Sequence, residues 1–279
     1  MSGAKFNRRE FLKLAGIGAA AVMAPKAEAA ITSVARPLLA AGPHPGDSGG
    51  GNHRWLMVID LARCDGCGAC TRACSAMHMV PPGQEWIKVY DMQHEGLADS
   101  YFFPRPCMHC DNPPCVNVCP VDATYKRADG TVLMDQDRCI GCRFCLAACP
   151  YAARYFNWAE PPHTEQELSY TYSVEMNMPH RKGVVEKCIW CPGLTSQGLL
   201  PACVSGCPMG AIYFGDENED AVTNSLGETH RLSTLLVEGA AERHLAELGT
   251  EPRVWYLPPR TQSAKTREQT TASVPAHQG

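Results

Sequence analysis

Three things are missing from this chain: a long apolar run, a surplus of positive charge and any catalytic constellation built around an open substrate site. A helix that crosses a bilayer needs roughly 20 apolar residues. The longest mildly apolar stretch, Leu14 to Ala24, is about half that length and lies near the N-terminus. Any membrane attachment is therefore expected through another subunit. Lys and Arg together number 25 against 29 Asp and Glu, a formal charge of −4. That balance argues against nucleic acid or anionic lipid headgroups as partners. No nucleophile, base or paired carboxylate stands in a recognisable arrangement, so no catalytic residue is assigned. With 279 residues, 45% hydrophobic and 19% charged, the chain is otherwise of ordinary globular length and composition.

The sixteen cysteines are not ordinary. They divide without remainder into four quartets: Cys64, Cys67, Cys70, Cys74; Cys107, Cys110, Cys115, Cys119; Cys139, Cys142, Cys145, Cys149; and Cys188, Cys191, Cys203, Cys207. The third is the plainest, with C-x2-C-x2-C-x3-C followed by Pro150. Three thiolates at that spacing wrap one corner of an iron–sulfur cube, while the fourth points to a neighbouring cluster. The second quartet carries Asp111-Asn112-Pro113-Pro114 between its middle cysteines, and the fourth has eleven residues from Pro192 to Ala202 there. Two other uses of cysteine compete. Disulfides suit small domains that lack a core, and crowded C-x2-C-x2-C runs suit them poorly. Structural zinc takes four ligands, and only the last quartet resembles a zinc ribbon. His109, beside Cys110, is not expected as a ligand, because Rieske-type histidines replace cysteines rather than add to them.

Along the chain, residues 30–53 are rich in Ala, Gly and Pro and are expected to be a flexible linker. Trp55 to Asp60 is a strand pattern, as are Trp86 to Tyr90, Tyr101 to Pro104 and Val254 to Leu257. Ala123 to Lys126 and Thr131 to Asp135, either side of Asp129-Gly130, predict a hairpin between the second and third quartets. The order motif, hairpin, motif is that of a two-cluster ferredoxin unit. Residues 158–187 read as a connection, and Ser233 to Leu248 as a helix stopped by Gly249. His78 and His94 are expected at the surface, and residues 259–279 as a disordered tail. Cys119-Pro-Val-Asp-Ala-Thr-Tyr125, Cys149-Pro-Tyr-Ala-Ala-Arg-Tyr155 and Cys207-Pro-Met-Gly-Ala-Ile-Tyr213 share Cys-Pro-x-x-Ala-x-Tyr. The tyrosines are expected to pack beside the clusters rather than to relay electrons. Only Cys74 lacks the following proline; Ser75 stands there.

The N-terminus resembles a twin-arginine signal. Arg8-Arg9 is followed by Phe11-Leu12-Lys13, a glycine- and alanine-rich run and Ala27-Glu28-Ala29, so residues 1–29 are expected to direct export to the periplasm, with cleavage after Ala29. Removing them takes away five basic and two acidic residues and moves the formal charge from −4 to −7.

The four quartets, in this order and with these insertions, resemble the four-cluster electron-transfer subunits of the molybdopterin oxidoreductase superfamily, over residues 54–258. They are most similar to the exported kind, the iron–sulfur subunits of polysulfide and tetrathionate reductases, of formate-dependent nitrite reduction and of the sulfite-reduction-associated complex. The resemblance implies an α+β fold: two pseudo-symmetric ferredoxin-like halves with short strands, short helices and long loops. It also implies four [4Fe–4S] clusters with exchanged fourth ligands. One cube takes Cys64, Cys67, Cys70 and Cys207; a second Cys107, Cys110, Cys115 and Cys149; a third Cys139, Cys142, Cys145 and Cys119; a fourth Cys188, Cys191, Cys203 and Cys74. The expected role is a one-electron wire between a membrane quinone-reactive subunit and a periplasmic catalytic or cytochrome subunit. A freely diffusing periplasmic polyferredoxin is the alternative.

Overall fold

The computed structural model describes residues 51–92 and 100–259. The signal 1–29, His94, nearly all of the linker 30–53 and the tail 259–279 beyond Pro259 lie outside the described residues. In chain order the strands are β1 (Trp55–Asp60), β2 (Ile87–Met92), β3 (Tyr101–Pro106), β4 (Thr124–Lys126), β5 (Val132–Met134), β6 (Tyr155–Phe156), β7 (Val185–Glu186), β8 (Ile212–Asp216), β9 (Ala221–Thr223), β10 (Thr229–Arg231), β11 (Glu242–Arg243) and β12 (Val254–Leu257).

β1 is the centre. Leu56, Met57, Val58 and Ile59 are all buried, as a continuous apolar run predicts for a strand covered on both faces. It lies inside a six-stranded sheet ordered β10-β9-β8-β1-β12-β11. β12 pairs with it in parallel, Met57 opposite Val254, and β8 antiparallel, Val58 opposite Tyr213. The two-residue period of the strand sorts its side chains. Met57 and Ile59 join Ile212, Phe214, Val254 and Tyr256 in the core that holds most of the cysteines. Leu56 and Val58 face the other way, with Tyr213, Val222 and Leu257, and are covered by Leu232 of the helix Leu232–Glu238. The buried Arg253 ties the far ends of the chain together. Its Nε donates to the Trp55 carbonyl at 2.7 Å, and its Nη1 and Nη2 reach Asp111 and Glu217 at 3.0 and 3.1 Å.

The remaining strands form two-stranded ladders, β2-β3, β4-β5 and β6-β7. The expected hairpin is present as β4-β5, with Tyr125 opposite Leu133, and the Val254 to Leu257 strand is β12. Prolines set the helix lengths. Pro114–Asn117, Phe144–Ala148 and Ala202–Ser205 stop just short of a Cys-Pro pair, because the ring of proline disfavours helical backbone at the residue before it. With Ser75 in place of proline, the helix Ala69–His78 runs on past Cys74 to ten residues. The Cys-Pro-x-x-Ala-x-Tyr repeat is also a repeat of conformation. Asp122, Ala152 and Gly210, each just before the alanine, are left-handed with φ of 50°, 47° and 59°.

Three expectations are corrected. The helix predicted over Ser233 to Leu248 ends at Glu238, and β11 and a short 3-10 turn, Ala246–Leu248, follow it. Its last turn is closed by Gly239, where a Cβ would collide with Leu257, so the chain is led back to the sheet edge. The connection 158–187 carries structure of its own: a helical turn, Glu165–Leu168, capped by the Thr164 hydroxyl, and then β7. His78 is buried, at 2% exposure, not on the surface.

Ile59 has 0% exposure in the middle of the sheet. Replacing it with Ala is expected to cost about 2–5 kcal/mol, from lost burial and the cavity left behind. A fall of several degrees in the thermal midpoint of the cluster-loaded protein, with iron content retained, is the expected result.

Candidate metal centres

None of the sixteen cysteines is joined in a disulfide, and most are buried. The first Cys-x-x-Cys step of each quartet turns through a left-handed residue just before its second cysteine: Gly66 at φ 76°, His109 at 43°, Gly141 at 67° and Trp190 at 61°. Such turns aim successive backbone N–H groups at one point, a concavity suited to a negatively charged group. Glycine takes this conformation freely, whereas in His and Trp it stores strain. At Gly141 glycine is also required by space, since a Cβ would run into the carbonyl oxygen of Gly183.

Two cavities bring cysteines of different quartets together. Cys107, Cys110 and Cys115 line one small cavity together with Cys149. Cys139, Cys142 and Cys145 line another with Cys119. In the other half, Cys207 is the charged neighbour shared by Cys64, Cys67 and Cys70. Cys74 and Cys203 share Cys188 and Cys191 as neighbours, with Cys70 near both. Along Ala69–His78, Cys70 and Cys74 sit one turn apart on the buried side.

Burial is the main force on these thiols. It pushes Cys70 up to about 11 and Cys110 and Cys188 up to about 12, and neighbouring cysteines add to the rise. Four thiols crowded in a low-dielectric pocket resist losing their protons unless a multivalent cation takes their place. Iron in a sulfide-bridged cube supplies that charge, and a set of four soft thiolates around a small apolar cavity fits it.

Histidines and tryptophans surround the sites without joining them. His109 accepts from the Val132 N–H at Nδ1, donates to the Cys188 carbonyl from Nε2 and stacks on Trp190 with ring centroids 4.0 Å apart. Burial holds it far below the usual histidine range, so it stays neutral. His78 places Nε2 3.1 Å from the Cys191 sulfur, and its carbonyl accepts from His180, whose Nδ1 pairs with Glu186 at 2.8 Å. Sequence reasoning missed this group. Its signal was the position of His78, one turn beyond Cys74 on the same helix face. Tyr125 and Tyr213 are buried, and Tyr155 donates to the Glu85 carbonyl, so all three repeat tyrosines are packed into the domain.

Models of a 4Fe-4S dicluster domain match residues 63–123, 98–170 and 162–217. The chain is 41% identical over 218 residues to a subunit of the selenate reductase of Mesobacillus selenatarsenatis, covering 73% of this chain and 72% of that one. It is 38% identical to the iron–sulfur cluster-binding subunit of a menaquinone reductase of Nitratidesulfovibrio vulgaris, covering 73% and 88%. Its identity to a subunit of the tetrathionate reductase of Salmonella typhimurium is 36%, covering 90% and 88%. The chain belongs to the iron–sulfur subunits of the molybdopterin-oxidoreductase type. As a member of that family it carries ferredoxin-like 4Fe-4S dicluster domains, whose matched ranges contain all sixteen cysteines.

Gly141→Ala tests the close approach at the third quartet. It is expected to lower iron and acid-labile sulfide without abolishing them, as chemical analysis of the purified protein would show.

Proposed function

We propose that this subunit carries single electrons through four [4Fe–4S] clusters, arranged as two pseudo-symmetric ferredoxin-like halves with exchanged fourth ligands. The inner pair is Cys107, Cys110, Cys115, Cys149 and Cys139, Cys142, Cys145, Cys119. The outer pair is Cys64, Cys67, Cys70, Cys207 and Cys188, Cys191, Cys203, Cys74. The observation that carries this reading is the presence of Cys149 in the cavity of the second quartet and of Cys119 in that of the third. Each exchange threads one chain segment through two sites, which keeps neighbouring cubes close. The clusters supply reversible one-electron transfer at potentials set by their surroundings. The protein's part is to hold the thiolates, exclude water and fix the spacing.

The electrons run between a membrane quinone-reactive subunit and a periplasmic molybdopterin or cytochrome subunit, in respiration of the kind its relatives' names suggest: selenate, tetrathionate and menaquinone chemistry. Export follows the twin-arginine signal of residues 1–29, and membrane association comes through the partner. Among the described residues no helix is long and apolar enough to cross a membrane. A fixed complex is favoured over a diffusing ferredoxin by the exposed apolar side chains beside the third quartet, where Ile140, Phe144 and Trp158 are 64%, 60% and 69% exposed. Large apolar groups clustered on a surface mark contact with another protein.

Cys149→Ser is expected to disturb the cluster held by Cys107, Cys110 and Cys115; a spectrum in which only the Cys139 cluster changes would rule out the exchange. Extraction in mild detergent should recover the chain with a membrane subunit, and a lone soluble monomer would favour the polyferredoxin. Replacing Arg8 and Arg9 together with Lys should leave the loaded protein in the cytoplasm, as measured by fractionation.

A further inference from the structure

Arg154 is the cation of the inner pair. It occupies the sixth position of Cys-Pro-x-x-Ala-x-Tyr, where the other copies have Thr124 and Ile212. The two inner copies meet at this position: Arg154 Nη1 donates to Thr124 Oγ1 at 3.0 Å. Thr124 lines the cavity of Cys119, Cys139, Cys142 and Cys145, and Arg154 lines that of Cys107, Cys110, Cys115 and Cys149. The guanidinium thus stands between the two sites.

It is 5% exposed, and no carboxylate pairs with it among its hydrogen bonds. Its Nη2 is buried and has no hydrogen-bond partner among the described residues. A buried, permanently charged group without an acid is costly. Something else must answer the charge, and the groups in reach are sulfurs. The cavity that Arg154 lines holds Cys107, Cys110, Cys115 and Cys149, and the cavity lined by its partner Thr124 holds Cys119, Cys139, Cys142 and Cys145.

We propose that Arg154 sets the reduction potentials of the inner cluster pair, its charge making both cubes easier to reduce than a neutral side chain would. The inference rests on the ligand assignment proposed above. When a cube takes up an electron no bond changes, and the added negative charge on its sulfurs is drawn toward the guanidinium. Charge near a cluster and hydrogen bonds to its sulfurs are the levers by which a protein tunes its potential. A residue placed between two cubes moves both in the same direction, so it raises the pair while leaving their difference small.

The experiment is a redox titration, followed by electron paramagnetic resonance, of the full chain and of R154Q and R154K, with iron and sulfide measured on each. R154Q is expected to lower the reduced-to-oxidised ratio of the two clusters altered by Cys149→Ser and by Cys119→Ser, respectively, at least tenfold at fixed potential, about 59 mV for a one-electron couple. R154K, which keeps the charge, should stay within threefold of the wild type. Unmoved inner potentials in R154Q at full iron content, or equal shifts in all four clusters, would overturn the proposal. If R154Q does not hold its cubes, R154K decides: native potentials uphold the role of the charge, and a tenfold fall at full iron content ends it. The spectrum of Cys149→Ser reads the ligand assignment separately, so these outcomes fall on Arg154 alone.

Discussion

The constraint on which the structure depends is the negative charge of crowded sulfur. Of the sixteen cysteines ten are buried, several of them in the main core, and burial raises the protonation constants of Cys110 and Cys188. In the thiol form they are small hydrophobes that fill space; as ligands they are anions in a medium that tolerates anions poorly. The fold answers with small cavities, with left-handed turns that converge backbone N–H groups, and with buried cations such as Arg154 and Lys187, whose Nζ donates to the Val132 and Cys188 carbonyls. Each of these devices is unfavourable alone. Together they make metal binding and folding parts of one equilibrium.

The six-stranded sheet is the part of the molecule that owes least to the cysteines. One of its faces is sealed by an apolar cluster around Leu232, while the other supports the cysteine-rich core through Met57, Ile59 and Phe214. The sheet is therefore a floor on which the outer sites rest. The second and third quartets instead hang on the short β4-β5 hairpin, whose register brings Thr124 to Met134 and leaves the Thr124 hydroxyl to meet Arg154. Neither ladder is large. What joins them is the contact of His109 with Trp190, two strained residues stacked across the boundary between the second and fourth quartets.

Much of this was legible in the residues. The apolar runs Leu56 to Ile59 and Val254 to Leu257 announced their strands, Asp129-Gly130 announced its hairpin, and the proline after the fourth cysteine announced where three helices stop. The absence of that proline at Ser75 is plain in the sequence, but its result is not: a ten-residue helix that delivers His78 beside Cys191. Short-range signals cannot show which strands become neighbours, so the partnership of β1 with β8 and β12 was invisible. The leucines of 235–248 suggested one long helix because their spacing suits one; the tight passage at Gly239 against Leu257 is a tertiary demand that spacing does not carry. Arg154 was visible as a letter in a repeat, and its meaning came only from the Thr124 opposite.

The place of β1 also governs when the molecule can be finished. Both of its neighbours in the sheet lie near the far end of the chain, so Met57 waits for Val254 across about 200 residues, a closure of the slow, long-range kind. A ribosome releases β1 early and can offer it no sheet partner until β8 has emerged, about 150 residues later. The hairpin closes over a few residues, yet Trp55 bonds to the Asp129 carbonyl and Asp111 and Met108 bond to Glu251 and Arg253, so both ends of the domain brace the region around it. The strand β1 is made before most of the chain and is housed only once distant segments return to it.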